Sequence, residues 1–238
     1  MPPFASGVAV VIPTFNEADS IGAVVTALPH DIVDRVIVAD GGSTDGTPDI
    51  ARHAGAEVIA AGSGYGRACL TGAQAAQNAE IVVFMDGDGA DDPAAIKDMV
   101  AVIRSGSYDF VIGSRARGRR EPGSMASHQI LAGLAAGALI KFLYGVRYTD
   151  MCAYRAIRRD TLLALGMREL TYGWNLEMQM RVARAGLRVL ELPVPYHCRI
   201  GGNSKVAGNL RGSIKAGARI IATFARVAME AAPGRAAI

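Results

Sequence analysis

The chain has 238 residues, with 25 Lys and Arg against 22 Asp and Glu, which gives a net charge of +3. So small a charge argues against a general nucleic-acid binder, and the length suffices for one large domain with a substantial core. Half of the residues are hydrophobic but only 6% are aromatic, so we expect a core built mainly from Val, Ile, Leu and Ala.

Cysteine spacing and hydropathy narrow the class of protein further. Cys69, Cys152 and Cys198 are widely spaced, which argues against a zinc site or a disulfide framework and favours the cytosol. The first residues lead directly into a strand pattern, so we expect no secretion signal. The longest strongly apolar run, residues 130–140, is shorter than the ~20 residues that span a bilayer. That run therefore indicates a core or interfacial helix.

Up to residue 115, strand-like and helix-like segments alternate. Short apolar runs predict five strands, within residues 7–14, 33–40, 56–61, 80–86 and 108–115. Helix-like segments lie between them, within residues 17–29, 47–55, 66–79 and 92–106. Strands that alternate with helices form βαβ units. We therefore predict an α/β fold, with a mostly parallel, Rossmann-like sheet and helices on both faces.

Beyond residue 115 the regular alternation ends. A polar stretch is followed by predicted helices within residues 128–145 and 171–186, a strand and helix within 148–165, a late strand within 187–199, and a final helix over 210–232. From Arg199 onward there are seven Lys or Arg and one Glu. We therefore divide the chain into one domain, residues 1–207, and a basic amphipathic extension, residues 208–238.

Four successive strand ends carry polar groups, glycines or both. They are Pro13–Glu17, Asp40 with its glycines, the segment 61–68, and Asp86–Asp88. In parallel α/β sheets, ligands bind outside the carboxyl ends of the strands. An ordinary turn explains any one of these ends, whereas all four together favour a nucleotide-sized site.

The segment 61–68, "AGSGYGRA", is weak evidence for a dinucleotide. Its glycines follow a G-x-G-x-G spacing after the third strand, and the dinucleotide fingerprint has G-x-G-x-x-G after the first. Gly66 would still let the backbone approach a ligand, and Arg67 would pair with a phosphate.

The aspartates after the fourth strand predict a metal site. Asp86 and Asp88 project to the same side of an extended chain, roughly 6.6 Å apart, while Gly87 keeps the approach open. Carboxylate oxygens suit Mg²⁺ or Mn²⁺, and two of them leave coordination positions for water and a diphosphate. The alternative is that both serve only turns. Asp91 and Asp92 precede Pro93 and are expected to cap the next helix.

Six stretches together resemble a known family. "VVIPTFNE", "VIVADGGSTDGT", "FMDGDGADDP" and "VIGSR" are similar, in order and spacing, to the family 2 glycosyltransferases. "GWNLEMQMRVARAGLRVLELPVPY" and "RIGGNSK" resemble its polyprenyl-phosphate branch, the dolichyl-phosphate mannose synthase-like enzymes. The resemblance covers residues 7–210. It implies a GT-A fold, a nucleotide-diphospho-sugar donor of the GDP-mannose or UDP-glucose type, a divalent metal on the Asp-x-Asp motif, and inversion at the sugar carbon.

The resemblance also implies roles for individual residues. The donor would be bound by Pro13, Thr14, Asn16, Glu17, Asp40, Gly41, Asp86 and Gly87, with Asp86 and Asp88 holding the metal. Arg115 would lie near the diphosphate or the acceptor phosphate. Arg199, Ser204 and Lys205 would contact the acceptor phosphate or close over the donor, and a solvated basic loop is the alternative.

Two departures from the family pattern leave the sugar and the acceptor headgroup open. Ala90 stands where the mannose synthases carry Gln, and His128 and Gln129 stand where an arginine is expected. An alcohol acceptor would need a general base, for which Glu177 beside Trp174 is the candidate. A carboxylate that only complements the helix dipole is the alternative. A phosphate acceptor, with a second pKa near ~6, is already an anion.

The C-terminal segment favours a lipid-linked acceptor at a membrane. Apolar and basic residues interleave at helical spacing, as in an interfacial helix: Leu210, Ile214, Ile221 and Phe224 with Arg211, Lys215, Arg219 and Arg226. Packing on the core or on a second copy of the chain is the alternative. We thus expect a cytoplasmic enzyme, peripheral to the membrane. A sugar-1-phosphate nucleotidyltransferase is the competing class, but the loop after the first strand lacks the glycines that such enzymes use.

Overall fold

A computed structural model describes residues 7–201 and 210–230 of the chain. Seven strands form one sheet: β1 (Gly7–Thr14), β2 (Arg35–Asp40), β3 (Glu57–Ala60), β4 (Ala79–Phe84), β5 (Phe110–Ser114), β6 (Arg155–Arg158) and β7 (Val189–Pro193). Their spatial order is β3-β2-β1-β4-β6-β5-β7. All neighbours pair in parallel except β6, which is antiparallel to both β4 and β5. The predicted mostly parallel sheet is therefore confirmed.

Eight helices connect and flank these strands within the described residues: α1 (Ile21–Thr26), α2 (Thr47–His53), α3 (Tyr65–Ala75), α4 (Ala95–Arg104), α5 (Ser127–Tyr144), α6 (Arg159–Ala164), α7 (Trp174–Arg184) and α8 (Leu210–Met229). From β1 the chain proceeds to β2 and β3 in one direction, and then returns through α3 to β4 on the other side of β1. Right-handed crossovers therefore place α1 and α2 on one face of the sheet and α3 on the other.

The reversed direction of β6 follows from where the chain re-enters the sheet. After β5 ends, α5 and its following loop return to the carboxyl edge, where the Ser114 hydroxyl lies 2.9 Å from that of Thr149. From that edge the chain has only one way to cross the sheet, which is antiparallel. The sequence predicts a strand here, but apolar periodicity carries no information about its direction.

The centre of the sheet is fully apolar. Val8–Ile12 of β1 and Ile81–Phe84 of β4 are buried completely, as expected for parallel strands covered on both faces. Aliphatic residues dominate the core as the composition predicts, with Phe84 and Trp174 packed edge to face at a centroid distance of 6.1 Å. Because the strand order reverses between β1 and β4, their carboxyl ends border the crevice in which such sheets bind ligands.

Helix α5 lies on the protein by a narrow face of small residues. Gly133, Gly137 and Ile140 are its buried members, and a Cβ at Gly137 would collide with the carbonyl oxygen of Tyr148. Large apolar side chains on its other side are exposed to solvent, by 41% to 86%: Leu131, Leu134, Leu139, Phe142 and Leu143. Among the described helices, none has the length and apolar content needed to cross a membrane.

We expect Gly137→Ala to lower the free energy of unfolding by about 1–3 kcal/mol, because the methyl group has no room against Tyr148. Gly217→Ala in α8 is the matched control, since a Cβ there meets no atom within 4 Å. Urea denaturation of both variants measures the difference. Equal effects at the two positions would contradict the close packing of α5.

Candidate active site

The ends of β1 and β4 meet at the Asp-x-Asp segment. Gly87 packs directly on β1, because a Cβ there would lie 3.1 Å from Cγ2 of Thr14. The Gly87 carbonyl also accepts a hydrogen bond of 2.7 Å from the hydroxyl of Ser20. These contacts fix the turn that presents Asp86 and Asp88 to the crevice. Two of the strand ends that the sequence singles out are thus adjacent.

Three carboxylates crowd this turn. The Asp91 carboxylate accepts a hydrogen bond of 3.3 Å from the backbone amide of Asp86. Burial, together with the charge of Asp88, raises the pKa of Asp86 above its ordinary value. Burial and the charges of Asp86 and Asp88 likewise raise the pKa of Asp91. Burial and the crowding of these carboxylates therefore oppose the ionisation of Asp86 and Asp91.

The expectation that Asp91 caps the following helix is wrong, because Asp91 is turned inward and buried beside Asp86. Asp92 lies in the turn that leads into α4. Its carboxylate accepts a hydrogen bond of 3.0 Å from the amide of Ala94, and its carbonyl accepts one of 3.3 Å from the amide of Ala95, the first residue of the helix.

Asp86 and Asp88 are the residues that could hold a divalent cation. Within residues 7–201 and 210–230, no cluster of three or more His, Cys, Asp or Glu side chains forms a metal cage. A carboxylate pair nevertheless fits Mg²⁺ or Mn²⁺ at a nucleotide site, since these ions complete their coordination with water and phosphate oxygens. The raised pKa of Asp86 agrees with this fit, because a cation at that point would relieve the repulsion.

The loops after β1 and β2 are tied into one wall of the crevice. Oδ2 of Asp40 accepts the amides of Gly42 and Ser43 at 3.0 and 2.9 Å. Its Oδ1 accepts the Thr14 hydroxyl at 3.2 Å. Asn16, with a left-handed φ of 54°, accepts the amide of Thr44 through its side chain at 2.9 Å. Asp40 and Asn16 thus shape the wall, whatever they contact in a complex.

Pro13, Gly41 and Glu17 occupy the same wall. Pro13 is buried in β1, and the amide of Gly41 donates to the carbonyl of Thr14 at 2.8 Å. A Cβ at Gly41 would lie 3.1 Å from that carbonyl oxygen, so the two loops approach closely here. The amide of Glu17 donates to the hydroxyl of Thr47 at 2.8 Å. The structure therefore brings the predicted donor-binding residues of the first two strand ends together.

The glycine-rich segment serves packing within the chain. A Cβ at Gly66 would collide with the backbone of Glu169 and Leu170, and the amide of Arg67 donates to the Leu170 carbonyl at 2.9 Å. The close approach predicted at Gly66 is therefore to the protein's own backbone rather than to a ligand. The Arg67 side chain is exposed and donates to the carbonyl of Ser63 at 3.3 Å.

Arg115 lies at the edge of the aspartate cluster in a fixed orientation. Its guanidinium forms a two-pronged pair with Asp150 at 2.9 and 2.7 Å and stacks 5.0 Å above the ring of Tyr196. Although burial opposes it, the hydrogen bonds from Arg115 lower the pKa of Asp150. The charge of Arg115 also offsets part of the rise in the pKa values of Asp86 and Asp91. Arg115 is thus held where it acts electrostatically on the cluster.

Arg199 reaches directly into the cluster. Its guanidinium donates to Oδ2 of Asp88 at 3.0 Å and lies 3.8 Å from Oε1 of Glu17. The amide of Ile200 donates to the carbonyl of Asp88, and that of His197 to the carbonyl of Ala90, both at 2.9 Å. Residues 197–201, which we name the strap, therefore lie across the Asp-x-Asp turn. Two other predicted acceptor contacts lie outside the described residues: Ser204 and Lys205.

Glu177 is not placed to act as a base. It is fully buried, and its carboxylate accepts the amides of Arg168 and Glu169 at 3.0 and 2.6 Å. It also accepts hydrogen bonds from Arg181 and Arg226 at 2.9 and 3.0 Å. Burial alone would raise its pKa, but these donors lower it. Glu177 is therefore the centre of an ion-pair network that joins α7 to α8.

Helix α8 turns its described arginines toward the protein. Arg226 pairs with Glu177, and Arg219 donates to Glu169 at 3.2 Å. The hydroxyl of Thr223, on the same face, donates to Glu169 at 2.9 Å. Ile221 stays 71% exposed. These contacts favour the alternative of packing on the core for this part of α8, and Phe224 is also partly buried against the core. The interfacial role of the helix stays a prediction. The other members of the stripe have side chains outside the description: Leu210, Arg211, Ile214 and Lys215.

Sequence reasoning missed three residues of the site. Tyr65 donates to Oδ1 of Asp86 at 3.2 Å, Asp150 orients Arg115, and Asp91 joins the carboxylate cluster. Tyr65 lies between Gly64 and Gly66, and this glycine-rich spacing is the sequence signal that points to its segment. Asp150 is separated from Arg115 by 35 residues, so no local pattern connects them.

The sheet is mostly parallel, and paired aspartates and two arginines lie at the point where its strand order reverses. This arrangement is typical of nucleotide-sugar-dependent glycosyltransferases. The chain belongs to glycosyl transferase family 2, whose model matches residues 9–166. An uncharacterised glycosyltransferase of Mycobacterium tuberculosis is 37% identical over 211 residues, covering 87% of this chain and 93% of that protein. The undecaprenyl-phosphate mannosyltransferase of Micrococcus luteus is 30% identical over 220 residues, covering 85% and 88%.

A solved structure confirms the expected GT-A fold. Glucosyl-3-phosphoglycerate synthase from Mycobacterium tuberculosis, in complex with Mn²⁺, UDP-glucose and phosphoglyceric acid, superimposes with a TM-score of 0.72 at 24% identity. The match covers 94% of this chain and 80% of that one. The mostly parallel sheet and the helices after its strands are therefore those of a GT-A glycosyltransferase.

We expect Glu177→Gln to lower the free energy of unfolding at pH 7 by about 3 kcal/mol, because it removes one partner of a buried ion pair. Its folded pKa lies below the ordinary 4.5, so ionised Glu177 stabilises the fold fully above that pH, and the contribution is lost as the pH falls through the folded value. Urea denaturation at pH 7 and at about pH 3 should therefore show a smaller acid loss in the variant than in the wild type.

Glu57→Gln is the matched control for that prediction. Glu57 pairs with Arg35 in a half-exposed position, so its loss should cost less than about 1 kcal/mol. The turnover rate of the folded Glu177→Gln protein separates the two roles of this residue. A loss of activity of about a hundredfold or more, without a loss of stability, would restore Glu177 as the base.

Proposed function

We propose that the protein transfers a hexose from a nucleotide-diphospho-sugar to a polyprenyl phosphate, with inversion and with Mg²⁺ or Mn²⁺. The observation that carries the proposal is the union of a carboxylate pair with two arginines, Arg115 and Arg199, in one crevice. Carboxylates hold a metal and a diphosphate, whereas arginines bind phosphate oxygens. The crevice thus suits a reaction between two phosphorylated molecules.

Different residues of the crevice would bind the diphosphate and the nucleoside of the donor. Asp86 and Asp88 would hold the metal against the diphosphate, and the wall that contains Thr14 and Asp40 would border the nucleoside. A bound cation would neutralise the charge that develops on the departing nucleoside diphosphate. Tyr65, by donating to Asp86, keeps that carboxylate in a fixed orientation. Most of the remaining rate would come from positioning and from fixed charges.

A phosphate acceptor needs no general base, which agrees with the burial and ion pairing of Glu177. A phosphate monoester is largely an anion at neutral pH and attacks without losing a proton to the protein. Arg115 and Arg199 would orient it, and Ser204 and Lys205 remain predicted contacts. The relative named as an undecaprenyl-phosphate mannosyltransferase supports this acceptor class. A soluble hydroxyl acceptor, with Glu177 as its base, fits the buried ion-paired carboxylate poorly.

The exposed apolar side chains of α5 support the proposal that the enzyme acts at a membrane surface. Its large apolar side chains form a continuous row, with Phe142 86% exposed, and Lys141 is the one charged residue of the helix. Exposed apolar side chains grouped on one helix mark a surface that contacts another protein or a membrane. We propose that α5 lies on the cytoplasmic face of the membrane and brings the crevice to the lipid-linked acceptor.

We expect Asp88→Asn to reduce transfer by about a hundredfold or more, because the metal loses one of two carboxylates and with it several kcal/mol of charge stabilisation. The assay offers GDP-mannose or UDP-glucose with Mg²⁺ or Mn²⁺, and undecaprenyl phosphate as acceptor. Asp92→Asn is the matched control, since the Asp92 carboxylate accepts the amide of Ala94 in the turn before α4, and an asparagine side chain can keep that hydrogen bond. Undiminished transfer by Asp88→Asn, or in the presence of a chelator, would contradict the proposal.

We expect the wild-type protein to co-sediment with vesicles that contain anionic lipid, and Phe142→Asp to bind them much less. A carboxylate at that position would oppose insertion of the apolar face of α5. Leu163→Asp is the matched control, because Leu163 is also exposed but lies on α6. The membrane proposal is wrong if the wild type stays in solution or if the two variants bind alike.

A further inference from the structure

The ion pair of Arg199 occupies a carboxylate that the metal would need. Its guanidinium donates to Oδ2 of Asp88 at 3.0 Å, and the two side chains are only 26% and 17% exposed. Arginine remains protonated at any physiological pH, so this contact is a permanent positive charge at the Asp-x-Asp motif. In a partly dehydrated site, a guanidinium and a divalent cation compete for the same oxygen.

The guanidinium also carries an unused donor. Nε of Arg199 is buried and has no hydrogen-bond partner among the described residues. A buried N–H without a partner costs free energy, so an acceptor at that point would be bound favourably. Arginine offers two parallel donors to a phosphate. Toward the residues that the structure describes, Arg199 makes its ion pairs through Nη2.

The strap delivers Arg199 independently of this ion pair. Its backbone is held by the amide of Ile200 on the Asp88 carbonyl and by the amide of His197 on the Ala90 carbonyl, both at 2.9 Å. The amide of Cys198 donates to the Glu121 carboxylate at 2.7 Å. A change of the Arg199 side chain should therefore leave the strap in place.

We propose that Arg199 is an exchangeable counter-cation of the metal site. It binds Asp88 while no metal is present, keeps the crowded carboxylates in position, and yields that oxygen to the divalent cation. The released guanidinium, which stays in the strap beside the cluster, then has both sides of its fork free for a phosphate. The second step rests on the proposed function, whereas the first rests on the Asp88 pair alone.

A direct consequence concerns the affinity of the empty enzyme for metal. Because the cation must displace Arg199, it should bind more weakly than two neighbouring carboxylates would otherwise permit. Competition of this kind is reciprocal, so any anion that draws Arg199 away from Asp88 should strengthen metal binding. Arg199 would thereby favour loading of the metal together with its diphosphate.

The test is a titration with Mn²⁺ in the absence of donor and acceptor, with free Mn²⁺ followed by electron paramagnetic resonance. Arg199→Gln removes the competing charge, and we expect its Kd for Mn²⁺ to fall by about tenfold, as for the loss of one charged hydrogen bond. Arg199→Lys keeps a cation at the same place and should remain close to the wild type. A thermal melt of each variant reports whether the fold is affected.

Arg188→Gln is the matched control. Arg188 pairs with Asp109 at 2.7 Å at the opposite end of β5 and β7, so the variant removes the same charge away from the crevice. Its Kd for Mn²⁺ should not change. A titration repeated with UDP should narrow the difference between wild type and Arg199→Gln, because the diphosphate offers the displaced guanidinium another anion.

The outcomes separate the inference from the proposed function. If Arg199→Gln binds Mn²⁺ as the wild type does, or more weakly, Arg199 does not compete with the metal and the inference is wrong, while metal-dependent transfer stands. If affinity and melting temperature fall together, Arg199 is a structural residue. If no variant binds Mn²⁺ even with UDP present, metal-dependent transfer fails, and the inference fails with it.

Discussion

The concentration of negative charge at the end of β4 determines the arrangement of the site. Asp86, Asp88 and Asp91 follow a fully buried strand, and burial, together with the mutual repulsion of these carboxylates, raises the pKa values of Asp86 and Asp91. Such a turn is stable only if other groups supply positive charge or hydrogen-bond donors. Arg115 and Arg199 supply the charge, and Tyr65 supplies a donor from the start of α3.

The same chain contains a second group of acids whose balance is the opposite. Glu177 and Glu169 are also buried, but arginines, threonine hydroxyls and backbone amides on α7, α8 and the preceding loop donate to every oxygen. Both pKa values are lowered despite burial. A neutralised cluster of this kind fastens helices together. In the cluster at β4, which faces a crevice, burial and repulsion outweigh the donors, so the pKa values of Asp86 and Asp91 are raised. The difference in charge balance, rather than the number of acids, separates a binding site from a structural network.

Local patterns in the sequence predict most of the sheet and only part of the site. Alternating apolar runs reveal β1 to β5, and the placement of Asp86 and Asp88 directly after a buried run predicts a metal site. The direction of β6 depends on where α5 returns the chain to the sheet, which no short pattern encodes. The true partners of Gly66 and Glu177 are equally non-local: Gly66 meets a loop about a hundred residues further on, and Glu177 meets α8. Local sequence patterns therefore do not predict the roles of residues such as Gly66 and Glu177, which depend on distant contacts.

The charge balance also bears on the acceptor. A hydroxyl nucleophile has to lose a proton, and the crevice would need a carboxylate with room for it. The buried acid proposed for that task is already engaged by two arginines and two amides. What the crevice does offer is fixed positive charge beside the carboxylate pair, on the strap after β7 and at the end of the neighbouring strand β5. An acceptor that arrives as an anion uses this charge directly, which is why a phosphate is the acceptor that the geometry favours.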